Sequence, residues 1–77
     1  MKKVVIYSTP TCTYCKMAKD YFKTNNVAYE EYNVASDVDK RKEMVEKSGQ
    51  MGVPVIEIGE NIIVGFDQKV IAQSLGI

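Results

Sequence analysis

Cys12 and Cys15 are the only two cysteines in a chain of 77 residues, and they are separated by Thr13 and Tyr14. A bridge between them closes so short a loop that it removes little entropy from the unfolded chain, which makes it a poor structural staple. The pair therefore needs another reason to exist. If a helix begins at Cys12 or just before it, Cys12 lies among the free N–H groups of the first turn, and those groups stabilise a thiolate. Cys15, three residues on, falls on the same side of the helix and within reach of a disulfide. The chemistry this predicts is thiol–disulfide exchange. Cys12, the more exposed thiol, attacks an incoming disulfide, and Cys15, one turn deeper, attacks the Cys12 sulfur and releases the reduced partner. A metal centre is not expected. Zinc takes four ligands, usually cysteine and histidine, and the chain has two thiols and no histidine. A dimer or an outside thiol would be required, which leaves a shared iron–sulfur cluster as the alternative.

Other residues surround this pair in the sequence. Tyr14 is expected to point outward and flank the reactive sulfur. Lys16 adjoins the motif, with a solvated lysine as its default reading. In Gly52-Val53-Pro54-Val55 the proline holds Val53 extended. Composition alone favours an ordinary trans proline that starts a strand; a cis bond would put the backbone polar groups of Val53 beside the cysteines. In Gly65-Phe66-Asp67, Gly65 permits a tight turn and Asp67 can cap a last helix. The start of that helix can also offer N–H groups to a carboxylate ligand.

The elements that must position these residues can be read along the chain. Lys3 to Tyr7 is a β-branched apolar run that fits a buried strand. A helix follows from near Cys12 to about Asn25, with Cys15, Ala18 and Phe22 on its inner face and Lys16, Lys19, Asp20 and Lys23 mostly elsewhere. Asn25 and Asn26 suit its exit. Val27 to Asn33 reads as a second strand. Ser36 and Asp37 are candidate caps for a second helix with Val38, Arg41, Met44, Val45 and Ser48 on one side, stopped by Gly49. Pro54 opens a third strand, Val55 to Ile58. Gly59-Glu60 forms a two-residue turn with glycine first, as a type II′ hairpin requires, and Asn61 to Val64 is the fourth strand. Val70, Ile71 and Leu75 mark the inner side of the last helix. The order β-α-β-α-β-β-α predicts parallel pairing of the first two strands, a closing antiparallel hairpin, and a mixed sheet with helices on its faces.

Bulk properties narrow the function further. The length predicts one domain spanning 1–77, and 45% hydrophobic residues make a compact core feasible. Ten basic residues balance ten acidic ones, so no net field steers the chain to nucleic acid or an anionic membrane. No apolar stretch is long enough for a bilayer span. Met1-Lys2-Lys3 begins like a signal n-region, but Thr9, Pro10 and Thr11 interrupt the apolar run that follows, and the chain reads as a cytoplasmic protein. A lone Cys-x-x-Cys in a reducing compartment is more often chemical than structural.

Three segments, Cys12-Thr13-Tyr14-Cys15 behind a first strand, Gly52-Val53-Pro54, and Gly65-Phe66-Asp67, occur in this order and at these separations. Together they make the chain resemble the glutaredoxin family, with the thioredoxin fold, from about Lys3 to Leu75; it is especially similar to small bacterial glutaredoxin-like proteins. The resemblance implies a four-stranded mixed sheet flanked by three helices and a cis bond before Pro54. It also implies Cys12 as nucleophile, Cys15 as resolving thiol, and no tightly bound cofactor. In glutathione-using members, the residue matching Tyr14 and the backbone of Val53 contact the tripeptide, and the segment matching Gly65, Phe66 and Asp67 holds its γ-glutamyl end. The chain departs from that pattern at Thr9, where many such members carry a carboxylate-binding lysine, and at Val64, where they carry the first of two glycines. The implied partners are disulfide-containing proteins and, as electron donor, glutathione or a thioredoxin-reductase-like flavoprotein. Some small relatives fed by the flavoprotein supply electrons to ribonucleotide reductase. A monomer is expected.

Overall fold

The first strand sets the layering. Every residue of β1 (Val4–Ser8) is buried, because successive side chains point to opposite faces and both faces are covered. Val4 and Ile6 enter one apolar cluster with Ala18, Phe22, Ile56, Ile58, Ile63 and Ile71. Val5 and Tyr7 enter a second with Val34, Met44 and Val55. The computed structural model describes residues 3–77; the basic start at Met1 and Lys2 lies outside them.

The order is β1, α1 (Thr13–Thr24), β2 (Glu30–Asn33), α2 (Val38–Ser48), β3 (Val55–Ile58), β4 (Asn61–Val64) and α3 (Gln68–Leu75). The strands lie in the order β2-β1-β3-β4. β1 pairs parallel with β2 and antiparallel with β3, and β3 pairs antiparallel with β4. Buried residues of α1 (Ala18, Phe22) and α3 (Ile71) belong to the first cluster, and Met44 of α2 to the second. The sheet is thus sandwiched by helices, the architecture that the thioredoxin-fold resemblance implies.

Local chemistry explains the joints. Asp37 and Asp67 accept the N–H of Lys40 and Val70 and so cap α2 and α3. Gly49 ends α2 in the left-handed conformation at φ 75°, which glycine adopts without steric cost. At the β3–β4 turn Gly59 has φ 59°. Asn26 is the one non-glycine residue with positive φ among the described residues, so Glu60 stays in the ordinary region and the turn is of the expected II′ kind rather than I′.

Three expectations need correction. β2 begins at Glu30, not Val27. The Val27 amide is spent on the Phe22 carbonyl at 2.8 Å, closing the end of α1 instead of entering the ladder. The inner side expected for α2 reduces to Met44, with Val45 and Ser48 half-buried, while Val38 is 63% exposed and Arg41 is exposed; Val34, in the preceding loop, fills the core instead. Val70 faces solvent on α3, where Ile71 and Leu75 make the contact.

A charged cluster closes the α2 face. Glu43 meets Lys40 at 3.0 Å and Lys47 at 3.2 Å, and the buried Tyr7 hydroxyl donates to it at 3.1 Å. Hydrogen bonds from Lys40, Lys47 and Tyr7 hold the Glu43 carboxyl down at about 2. A carboxyl lowered on folding stabilises the fold above its ordinary value and loses that contribution as pH falls toward the folded value. Glu43→Gln is therefore expected to cost roughly 1 kcal/mol at neutral pH, discounted because the side chain is a third exposed, and to flatten the acid limb of stability between pH 4.5 and about 2. Urea unfolding across that range measures both.

Candidate active site

The first turn of α1 is built around sulfur. Thr9-Pro10-Thr11 turns the chain off β1, with the Cys12 N–H donating to the Thr9 carbonyl at 3.3 Å. Cys12 is the N-cap rather than the first helical residue, in extended geometry at φ −90° and ψ 112°. Its Sγ accepts the backbone N–H of Cys15 at 3.1 Å, one of the donors a helix start leaves unpaired. No acidic side chain occupies this first turn, so nothing there opposes negative charge on the sulfur.

Both thiols are free, Cys12 partly exposed and Cys15 buried at 1%. Burial, followed by the hydrogen bond its thiol makes to Cys12, pushes Cys15 up to about 12; the Thr9 backbone and the Lys19 charge act in the opposite direction. The two sulfurs are thus unequal in the way the spacing predicts: one at the surface as an acceptor at a helix end, the other protonated beneath it.

Strand pairing brings the remaining candidate residues to the same end of the sheet. Val55 pairs with Tyr7 and with Val64, so Pro54 starts β3 beside the exit of β1. The Val53–Pro54 bond is cis, as the resemblance implied and composition did not. Pro54 is buried and its carbonyl accepts the Gly65 N–H at 2.8 Å, which ties the turn after β4 to the proline. Gly65 has φ 80°, a conformation that a side chain would strain. The Phe66 ring packs inward, 6.1 Å from that of Tyr21, and Asp67 Oδ1 accepts the Val70 N–H at 3.3 Å. Tyr14 projects from the first turn at 61% exposure. Lys16 is exposed.

Sequence reading passed over one group beside the cysteines. Glu31 pairs with Ile6 in the parallel register, which puts its side chain, like that of Ser8, on the α1 face. Glu31 Oε2 accepts from the buried Ser8 hydroxyl at 2.8 Å and from Lys19 Nζ at 2.7 Å. Lys19, expected on the solvent side, instead folds back over the sheet, its side chain 25% accessible. The available signal was its position four residues after Cys15. Among the described residues no group of three or more His, Cys, Asp or Glu side chains is arranged to hold a metal ion, and no helix is long and apolar enough to cross a membrane.

Comparison with known proteins agrees with the geometry. The family model described as Glutaredoxin matches residues 4–63. The chain is 52% identical over 65 residues, 84% of its own length and 87% of the other's, to an uncharacterised glutaredoxin-like 8.6 kDa protein in the rubredoxin operon of Clostridium pasteurianum. It is 37% identical over 67 residues to glutaredoxin 3 of Escherichia coli K12, covering 87% of this chain and 81% of that one. Among solved structures, a mutant of the thioredoxin-like protein BC3987 superposes with a TM-score of 0.92 at 34% identity, over 100% of this chain and 99% of the other.

Proposed function

The chain belongs to the glutaredoxin family of thiol–disulfide oxidoreductases, and on that footing we propose that it reduces protein disulfides or glutathione-mixed disulfides with Cys12 as nucleophile and Cys15 as resolving thiol. The observation that carries this reading is the single sulfur that both caps α1, by accepting the Cys15 N–H, and meets solvent, with the buried Cys15 thiol three residues on. The Cys12 thiolate attacks a partner disulfide and forms a mixed disulfide, one half of the partner leaving as a thiol. Cys15 then attacks the Cys12 sulfur, closes the Cys12–Cys15 bridge and frees the other half.

In this reading Tyr14 lines the approach to Cys12, and Val53, held extended before Pro54, offers its backbone to the chain that carries the disulfide. Gly65, Phe66 and Asp67 receive the far end of a glutathione moiety. Asp67 already caps α3, so the backbone around Phe66 and the free start of that helix are the groups left to meet a carboxylate. Thr9 supplies no cation where many glutathione-binding members have lysine. For this reason both glutathione and a flavoprotein reductase stand as electron donors. A lone Cys-x-x-Cys suits chemical work in a reducing compartment, the cytoplasm in this reading, with the protein acting as a monomer.

The test is a trap. Cys15→Ser treated with a disulfide-containing protein or with glutathione disulfide is expected to accumulate one partner half on Cys12, seen as an added mass that dithiothreitol removes. The intact chain should instead release the partner and gain only an internal bridge. A Cys15→Ser chain that acquires no adduct would end the assignment. Supplying glutathione with its reductase, or a thioredoxin reductase, in otherwise identical reactions identifies the donor by which one sustains turnover.

A further inference from the structure

The resolving step needs Cys15 as an anion, yet Cys15 lies 1% exposed in the core. Once Cys12 is joined to a partner its sulfur carries no charge, and the opposition from Cys12 falls away while the burial remains. Two groups work against that burial, the Thr9 backbone and the Lys19 ammonium. Lys19 follows Cys15 by four residues on α1, the spacing that sets side chains side by side on one helical face. Its ammonium is held by Glu31 Oε2 at 2.7 Å, and the same oxygen is anchored by the Ser8 hydroxyl at 2.8 Å. Ser8 is itself 1% exposed and immediately precedes Thr9. The end of β1 thus anchors the carboxylate that holds Lys19, one turn along α1 from Cys15.

We propose that Lys19 is a positioning residue for the resolving step: fixed beside Cys15 by Glu31 and Ser8, its ammonium stabilises the Cys15 thiolate as that thiolate attacks the Cys12–partner disulfide. The inference rests on the assignment of Cys12 as nucleophile and Cys15 as resolving thiol. Cys15 gives its proton to water and attacks the Cys12 sulfur. The Cys12–Cys15 bond forms as the Cys12–partner bond breaks, and the partner leaves as a thiolate that takes up a proton from solvent. Two protein thiols are oxidised and one partner disulfide is reduced. The groups that set the field are Cys12 at the cap of α1, Lys19 within it, Thr9 before it, and Glu31 on β2; Tyr29 and Lys23 act on the Lys19–Glu31 pair. A partly screened unit charge one helical turn away changes the population of an anion by roughly threefold to tenfold.

Stopped-flow reduction of dithiobis(nitrobenzoate) separates the two steps, since one coloured thiolate leaves on attack by Cys12 and the second on resolution by Cys15. Lys19→Gln is expected to slow the second phase at pH 7 by roughly threefold to tenfold and move its pH midpoint upward, leaving the first phase within about twofold; Lys19→Arg should restore it. Glu31→Gln keeps an oxygen that accepts from both Ser8 and Lys19 but removes the countercharge, so it is expected to move the midpoint downward. Opposite shifts from the two variants are what a merely structural pair would not produce. A second phase that stays in place in Lys19→Gln, or shifts the same way in both variants, overturns the inference alone. A wild-type chain that shows no second phase, or a Cys15→Ser chain that keeps one, overturns the cysteine assignment and this inference with it.

Discussion

Cys12→Ser is expected to lower the rate of disulfide reduction by at least about 10³-fold, to the level of the uncatalysed reagents, while leaving the fold in place. The loss is large because a hydroxyl at neutral pH is a weak nucleophile and forms no disulfide. The remaining thiol, Cys15, is 1% exposed and burial keeps its thiol raised above the ordinary value, so it does not take over. The fold survives because the position is an N-cap. Serine is among the residues that serve best there, and its oxygen can accept the Cys15 N–H in place of sulfur. Steady-state reduction of a model disulfide, together with a urea unfolding curve for the same variant, separates the two properties. Residual activity near that of the intact chain would refute the role of Cys12. A collapse in stability would show that sulfur does something at the cap that oxygen does not.

The second large effect concerns Phe22. Phe22→Ala is expected to cost roughly 3–5 kcal/mol. The side chain is fully buried in the cluster that joins α1 to the sheet and α3. Its ring lies 5.4 Å from that of Tyr29 and 6.3 Å from that of Tyr21. These contacts pin the helix that carries both cysteines to β1 and to the segment leading into β2. A domain of this length has a total stability on the order of 4–12 kcal/mol, so the truncation removes a large share of it. Denaturant titration should show a lower midpoint. Disulfide reduction should fall in proportion to the unfolded fraction, because the site itself is untouched. A midpoint within about 1 kcal/mol of the intact chain would mean that neighbouring side chains collapse into the space.

Much of this was legible in the amino-acid sequence because the signals are local. A Cys-x-x-Cys behind an apolar β-branched run, a proline at the head of a strand, a glycine-first hairpin turn and aspartates before helices each report on a few consecutive residues. The structure places each of these where the pattern put it. The α2 side was harder to read. That helix is mostly charged and contributes one fully buried side chain, Met44, so its periodicity carried little information, and Val38 and Arg41 were assigned inward without a packing partner to hold them there. The start of β2 was misplaced because strand propensity at Val27 to Tyr29 says nothing about the Val27 amide being needed to close the preceding helix. The Ser8–Glu31–Lys19 group was out of reach for a similar reason. It assembles only through the parallel register of β1 with β2, and a side chain four residues past a cysteine looks like any surface lysine until that register is known.

With Cys12 as the proposed nucleophile, the cap on α1 also ties the reacting atom to the architecture. The other two helices begin on aspartate oxygens, which no redox event alters. The helix with the cysteines begins on a sulfur, and in the proposed cycle that sulfur changes its charge and its bonding at each turnover. An anion there grips the Cys15 amide strongly, and a sulfur shared with a partner grips it weakly. The partner and the helix thus compete for the same lone pairs. In the proposed cycle each departing partner leaves the sulfur to its amide or to Cys15, and recovery of that cap contact favours release.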